Sequence, residues 1–363
     1  MKILSPINSP REVESLAQAG ASEFYCGVLP ESWRKNFTNV ASPNRREWSV
    51  SSLTSHEQLL DATDEAHRLG CSLFLTLNAF YTAGQYESLG NELKALEKIP
   101  VDGVIVADPG VMSLLRKGGW DREIHVSTGA VALNGATIRL YRRKFGVARI
   151  VLPRHMTIHE METIASQVES LQLECFIMNS GCKNIDGFCT YHHGVNEILH
   201  RGGYTLPKKI GLDYHLYRFL RCLPGDLPGI LLRPLSGRSD SACLLDWHVE
   251  PRRRLSGENI TGEMLEFARR QVADSFGLWS GLDPCGACAI PRLSRAGIGS
   301  IKIVGRENPT FKKLLDVKFL RKMLDMWESG DVTLEDYPRL ARQEYEKTYG
   351  APCREWCYYT SSS

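Results

Sequence analysis

The chain has 363 residues, 43% of them hydrophobic and 24% charged, with a formal net charge of +2. This composition is typical of a globular protein, and the near-neutral charge gives no electrostatic argument for a nucleic-acid or membrane partner. No apolar run approaches the roughly 18 residues of a membrane span, and the amino terminus lacks a signal-peptide core, so we expect a cytoplasmic protein.

Short apolar runs alternate with amphipathic helical stretches along the first 180 residues. The first run, 2–7, predicts a strand, and Ser9-Pro10 then predicts a helix start, because serine caps helices and proline suits their first turn. The alternation continues to Met178 and resumes once after a long interruption. The predicted strands are 2–7, 23–28, 72–77, 103–107, 123–127, 148–152, 173–178 and 300–304, and the later helices are 55–68, 86–98, 109–116, 136–145 and 157–171.

Eight strands connected through helices predict an α/β protein with a TIM-barrel-like (β/α)8 fold. The barrel is either complete or incomplete. A doubly wound open sheet is the alternative, although no G-x-G-x-x-G follows the first strand. We assign residues 1–306 to the barrel domain, with a cysteine-bearing insertion at about 180–281 after strand 7. Residues 307–363 form a predicted helical C-terminal extension, with helices at 311–329 and 334–348, and a polar tail.

Eleven cysteines are many for a cytoplasmic protein, where disulfides are rare, and they favour metal binding. Cys182 and Cys189 follow the seventh strand in a glycine-bearing loop, and other thiols come from distant segments. Such a set fits Zn²⁺ or an iron–sulfur cluster, although C-x6-C is looser than the usual zinc spacing. Three cysteines in or beside strands are expected to be small buried hydrophobes: Cys26, Cys71 and Cys175.

Two further cysteine pairs lie near the end of the chain. Cys285 and Cys288 form a C-x2-C at the start of a predicted helix, 285–296, whose dipole would lower the thiol pKa, so a redox pair is an alternative there. Cys353 and Cys357 are four residues apart and could share one face of a helix.

Polar residues follow most of the predicted strands. In a barrel these positions meet at one mouth, where two arginines, Arg154 and Arg306, would suit a substrate with carboxylate or phosphate groups. Asp108 precedes Pro109 and is also a plausible helix N-cap. The strand-end candidates are Asn78, Asp108, Ser127, Thr128, Arg154, His155, Asn179 and Arg306.

Five segments in shared order resemble the U32 family, historically called collagenase-like peptidases. Residues 106–111 resemble its Asp-x-Gly segment, and 124–128 with Asn134 resemble its Ser-Thr strand. Residues 146–154 resemble the stretch that ends in Arg-Glu, and 176–189 resemble the first cysteine pair. Residues 296–306 resemble the Lys-Ile-Glu-Gly-Arg strand, so the likeness covers about residues 1–310.

The resemblance implies a barrel-like fold and a [4Fe–4S] cluster held by four cysteines. By position, Cys182 and Cys189 match the first two ligands, and Cys285, seventeen residues before Lys302, matches the last. Cys243 is our choice for the third ligand, with Cys222 and Cys288 as alternative ligands. Known members include oxygen-independent hydroxylation proteins of ubiquinone, transfer RNA and ribosomal RNA, some of which take oxygen from prephenate, while others carry the peptidase label.

The sequence also departs from the family pattern, because His155 and Val304 replace two glutamates. The leading hypothesis is an iron–sulfur enzyme that hydroxylates or otherwise modifies an anionic small-molecule or macromolecular substrate. A peptidase and a non-catalytic iron–sulfur subunit that partners a related chain are the alternatives. The expected catalytic residues are Arg154, His155 and Asp108, and the expected substrate-binding residues are Asn78, Ser127, Thr128, Asn179 and Arg306.

Overall fold

Eight parallel strands close into a barrel in the computed structural model, which describes residues 1–36, 42–45, 51–168, 170–179, 186–187, 284–353 and 357–359. Each strand pairs with the next, and β8 returns to pair with β1. This closure confirms the (β/α)8 prediction and shows that the open-sheet alternative is wrong. The strands are β1 (Lys2–Pro6), β2 (Glu23–Cys26), β3 (Ser72–Leu77), β4 (Gly103–Val106), β5 (Glu123–Val126), β6 (Arg149–Val151), β7 (Gln172–Met178) and β8 (Ser300–Ile303).

Helices of the barrel begin where the sequence places capping side chains. The Asn134 side chain accepts a hydrogen bond from the backbone of Thr137 at 2.9 Å, and Thr157 with Glu160 forms a capping box. The helices are α1 (Val13–Gln18), α2 (Glu31–Asn36), α3 (His56–Arg68), α4 (Tyr86–Leu96), α5 (Pro109–Lys117), α6 (Gly135–Phe145), α7 (Ile158–Gln167), α8 (Ile290–Arg295), α9 (Thr310–Glu328) and α10 (Tyr337–Tyr349).

The eighth βα unit is completed by α9, which packs against β1 and α1. Its apolar residues Val317, Leu320 and Met323 are buried in the same core as the strands. The fully buried Lys313 bonds Glu12, just before α1, at 2.9 Å. The domain boundary that the sequence placed at residue 306 therefore falls inside this unit, between β8 and α9. Among the described helices, none combines the length and apolar character that a bilayer crossing requires.

A charged network lies inside the barrel at the amino half of the strands. Arg149 on β6 reaches across the barrel to Glu23 on β2, with two nitrogen–oxygen distances of 2.6 and 2.7 Å. Its guanidinium also contacts Glu174 at 3.1 Å, and Lys302 bonds that same carboxylate at 3.0 Å. Because opposite charges are paired and almost fully buried, the network ties together strands that are not neighbours. This end of the barrel is structural, and the opposite end carries the candidate site.

Candidate functional site at the barrel mouth

The strand-end residues that the sequence singled out share one end of the barrel. Each follows the carboxyl end of its strand, where the loops of a (β/α)8 fold form the site. Their location at the mouth follows from the strand bounds, while the role of each in binding or catalysis stays a prediction. The residues are Asn78 after β3, Asp108 after β4, Ser127 and Thr128 after β5, Arg154 and His155 after β6, Asn179 after β7 and Arg306 after β8.

Both carboxylate oxygens of Asp108 bond to protein groups. Oδ1 accepts the backbone N–H of Gly110 at 2.7 Å, which makes Asp108 the N-cap of α5. Oδ2 accepts the backbone N–H of Tyr81 at 3.2 Å and lies 3.5 Å from the Tyr86 hydroxyl. These bonds hold the segment after β3 against α5, in agreement with the N-cap alternative.

Arg154 links the mouth to the loop that carries the first cysteine pair. Its guanidinium forms an ion pair with Asp186, whose second oxygen accepts the Arg154 backbone N–H at 2.8 Å. The guanidinium also lies 4.0 Å above the Phe176 ring. Since Asp186 stands between Cys182 and Cys189 in the sequence, this pair anchors that loop to β6. Sequence reasoning missed Asp186, because nothing local marks a loop aspartate as the partner of a distant arginine.

His155 is half-buried beside this ion pair. Burial lowers the pKa of its imidazole, and the positive charge of Arg154 lowers it further, whereas Asp186 acts in the opposite direction. A neutral imidazole is therefore favoured at this position. A neutral histidine can accept or donate one proton, which is compatible with its predicted catalytic role.

The buried Arg306 side chain supports the loop at 42–45 through hydrogen bonds. It donates to Thr76 Oγ1 at 3.0 Å and to the Asn44 carbonyl at 3.1 Å. A Cβ atom at Gly27 would lie only 2.3 Å from this guanidinium, so glycine is required there. Directly after β5, the Ser127 hydroxyl caps a short turn that begins at Thr128. Arg306 and Ser127, which the sequence proposed for substrate binding, therefore make structural contacts. Their roles in substrate binding stay predictions.

Two side-chain amides at the mouth hold atoms without a hydrogen bond. Within the described part of the chain, Asn308 Nδ2 and Asn78 Oδ1 are both buried and lack a partner. Asn308 is 2% exposed and follows β8, whereas Asn78 follows β3. Leaving a buried amide atom without a hydrogen bond is costly, so these two atoms are candidates for contact with a bound molecule. Asn308 is a second residue that sequence reasoning missed, since an asparagine after a strand is common in loops.

Asn179 holds the end of β7 in an unusual backbone conformation. Its φ is 65°, a region that non-glycine residues seldom adopt. The side chain donates to Asp316 at 2.7 Å and accepts from Lys312 at 3.0 Å, both on α9. Strain of this kind persists only where surrounding contacts enforce it. Here those contacts fix the last described residue before the segment that carries Cys182 in the sequence.

Cys285 lies beside the end of β7 at the mouth. It forms an antiparallel bridge with Met178, and the next backbone N–H, of Gly286, donates to the Ile177 carbonyl at 2.7 Å. The helix predicted from 285 begins two residues later, because these strand contacts keep Cys285 extended; a 3-10 turn spans Ala287–Ala289 and α8 follows from Ile290. Burial raises the pKa of the Cys285 thiol. The sequence had predicted the opposite direction, a lowering by a helix dipole.

The other predicted ligands, Cys182, Cys189 and Cys243, and the alternative Cys222 lie outside the described residues. Within the described ranges, no group of three or more His, Cys, Asp or Glu side chains is placed to hold a metal ion. The described cysteines are not in disulfides, and Cys285 is a soft thiol donor at the mouth. One thiol of this kind fits an iron–sulfur cluster as one ligand of a set completed from elsewhere.

Three comparisons place the chain among known proteins. A family model described as peptidase family U32 matches residues 8–203. The tRNA hydroxylation protein P of Escherichia coli (strain K12) is 29% identical over 339 residues, which cover 91% of this chain and 69% of that protein. The protein of the same name from Haemophilus influenzae is 26% identical over 196 residues, which cover 54% of this chain but only 39% of that protein. The match to a solved structure of a U32 peptidase covers 50% of this chain and 70% of the peptidase chain, with 18% sequence identity and a TM-score of 0.38.

Proposed function

Because this chain belongs to peptidase family U32, we propose that it hydroxylates a nucleobase of transfer RNA at the mouth of its barrel, using a thiolate-held iron–sulfur cluster and an organic oxygen donor of the prephenate class as the oxidant. The names of the Escherichia coli and Haemophilus influenzae relatives support the reaction and the substrate class. The absence of a strong net charge is compatible with this proposal, since a single base can be recognised by local hydrogen bonds.

The observation that carries the proposal is the pair of unsatisfied amide atoms at the mouth. Asn308 Nδ2 is a donor and Asn78 Oδ1 is an acceptor, each buried and without a hydrogen-bond partner among the described residues. The edge of a nucleobase presents acceptors and donors of the complementary kind, and amide side chains are common readers of such edges. We propose that a base taken out of the RNA stack bonds to these two amides.

The cluster would be held by Cys285 together with Cys182, Cys189 and a fourth thiol, for which the sequence favours Cys243. A bound iron–sulfur cluster supplies one-electron transfer and a Lewis-acidic iron. Around it, the Arg154–Asp186 ion pair holds the loop that carries the first two cysteines. Arg306 holds the opposite side of the mouth through Thr76 and the Asn44 carbonyl. In this proposal the two arginines position loops, and His155 is the candidate for proton transfer.

The function is tested in an Escherichia coli strain that lacks its own tRNA hydroxylation protein P. The gene for this chain is expressed there, and hydroxylated nucleosides from purified transfer RNA are measured by mass spectrometry. We expect hydroxylation to be restored, and the anaerobically purified protein to be brown with about four iron atoms per chain. Unchanged nucleosides, together with peptide hydrolysis that survives iron removal, would replace the proposal with the peptidase alternative.

Replacing Asn308 by alanine is expected to lower hydroxylation of transfer RNA about tenfold through KM, because one buried hydrogen bond to the base contributes about 1–1.5 kcal/mol. The variant removes a side chain that bonds no other described protein group through Nδ2, so the thermal midpoint should change little. Steady-state kinetics on purified transfer RNA give the measurement. Asn91, exposed on α4, is the matched control, and equal kinetics in Asn308→Ala and Asn91→Ala would remove Asn308 from the substrate site.

A further inference from the structure

The last described residues of the chain are docked at the barrel mouth. Tyr359 donates its hydroxyl to the Phe176 carbonyl at 2.6 Å, and the Tyr358 hydroxyl bonds the Asn179 carbonyl. Both tyrosine rings are buried, at 6% and 5% exposed. Two buried tyrosines bonded to the final residues of β7 hold this segment, 357–359, beside the place where the cysteine loop begins.

Cys357 is aligned with Cys285 by backbone pairing. The two residues form a parallel bridge, and the Tyr358 N–H donates to the Cys285 carbonyl at 3.1 Å. Directly paired residues on neighbouring extended segments are about 5 Å apart and project their side chains to the same face. The earlier prediction of a shared helical face for Cys353 and Cys357 is wrong for Cys357, because α10 ends at Tyr349 and Cys357 is extended.

The remaining two described thiols of this region, Cys288 and Cys353, lie within electrostatic range of Cys285 and also contact α10. Cys288 Sγ lies 3.8 Å from the Pro338 carbonyl at the start of α10. Cys353 lines a cavity of about 430 Å³ together with Pro338 and Arg342 of the same helix. Of the four thiols, Cys285 and Cys357 are therefore the two whose backbone pairing gives them a common direction beside β7.

We propose that Cys357 is a ligand of the metal centre, bound next to Cys285 and supplied by the C-terminal segment. This inference rests on the proposed function and deepens it. With Cys285 and Cys357 as two ligands, a four-thiolate centre needs two more. Cys182 and Cys189 would provide them, so Cys243 is not required as a ligand. The arrangement also agrees with the absence of any three-residue metal group in the described ranges, since these ranges would supply two ligands.

Replacing Cys357 by serine tests the proposal, with Cys353→Ser as the matched control four residues away. Iron and acid-labile sulfide per chain, visible absorption and electron paramagnetic resonance are measured on anaerobically purified protein. We expect at least about fivefold less iron or a changed resonance spectrum in Cys357→Ser, because one of four thiolates is lost. The control should match the parent protein. Full iron with an unchanged resonance spectrum in Cys357→Ser, or equal loss in Cys353→Ser, would overturn the assignment.

A measurement on the unsubstituted protein covers the case in which Cys357→Ser fails to fold. Alkylation followed by peptide mass spectrometry should find Cys357 protected in the metal-loaded protein and modified after chelation, while Cys353 reacts equally in both. Modification of Cys357 in the loaded protein would contradict the proposal.

The metal content and the alkylation pattern together distinguish failure of the proposed function from failure of the Cys357 assignment. If the parent protein contains zinc and no iron, and Cys357 is still protected by it, the ligand assignment stands while the iron–sulfur proposal fails. If the parent protein contains iron and Cys357 is not protected, only the ligand assignment fails.

Discussion

Replacing Cys285 by serine is expected to remove the bound iron and to reduce transfer RNA hydroxylation at least about a hundredfold. Cys285 is held between Met178 and Cys357 by backbone pairing, so its thiol has a defined position at the mouth. Cys285 is half-buried, and this burial raises the pKa of its thiol, so a bound cation would stabilise its thiolate form. A serine oxygen is a harder and weaker donor to iron than a thiolate. Iron content, absorbance and nucleoside analysis give the result.

The matched control for Cys285→Ser is Cys71→Ala. Cys71 is also buried, but it lies just before β3 at the amino end of the barrel, with its Sγ 3.6 Å from the Ala21 carbonyl. Its replacement should leave iron content and activity unchanged. Full iron in Cys285→Ser, with the barrel intact by circular dichroism, would exclude Cys285 as a ligand and would also remove the starting point for the assignment of Cys357.

Replacing Arg149 by leucine is expected to lower the free energy of unfolding by about 3–5 kcal/mol, because it leaves the buried carboxylates of Glu23 and Glu174 without their shared partner. Arg149 itself is 1% exposed and spans from β6 to β2. Chemical denaturation gives the measurement. The exposed Arg143 on α6 provides the control, and Arg143→Leu should change stability by less than about 0.5 kcal/mol. A similar small change in Arg149→Leu would show that the network is not stabilising.

The same variant should change the response of the protein to acid. Burial alone would raise the pKa of Glu23, but hydrogen bonds and charges from Arg149 and Lys2 outweigh it and lower the pKa from 4.5 to about 2. A lowered carboxyl pKa stabilises the fold above pH 4.5, and this stabilisation is lost as the pH falls towards 2. At about 1.4 kcal/mol per pKa unit it amounts to about 3 kcal/mol. Without Arg149 the pKa of Glu23 should rise, so this acid-dependent loss of stability should shrink, and an unchanged acid transition would contradict this account.

The eight strands were predictable because each is a local pattern. Three to seven residues, mostly buried and apolar, are bounded by turns and followed by a helix with its own cap, so β3 and β7 begin and end within one residue of their predicted bounds. The extended geometry at Cys285 was not predictable in this way. The residues after it form a good helix pattern, and contacts with Ile177 and Tyr358, distant in sequence, keep Cys285 itself in strand geometry.

The candidate site was predictable as a location and less so as a set of roles. Strand-end positions meet at one mouth in any (β/α)8 barrel, which is why Asn78 and Arg306 could be selected from the sequence. Their roles depend on partners. Arg306 contacts Thr76, 230 residues earlier, whereas Asn78 keeps a buried oxygen without a partner among the described residues.

The sequence by itself determined the barrel, the mouth and the abundance of thiols, because periodic burial, helix caps and strand-end polarity are encoded over a few neighbouring residues. Only the tertiary structure decided which distant groups meet there. It brought Asp186 to Arg154, left Asn308 Nδ2 buried without a hydrogen bond to any described residue, and aligned Cys357 with Cys285. Contacts of this kind depend on the closure of the barrel and the docking of the chain end, and no local pattern records them.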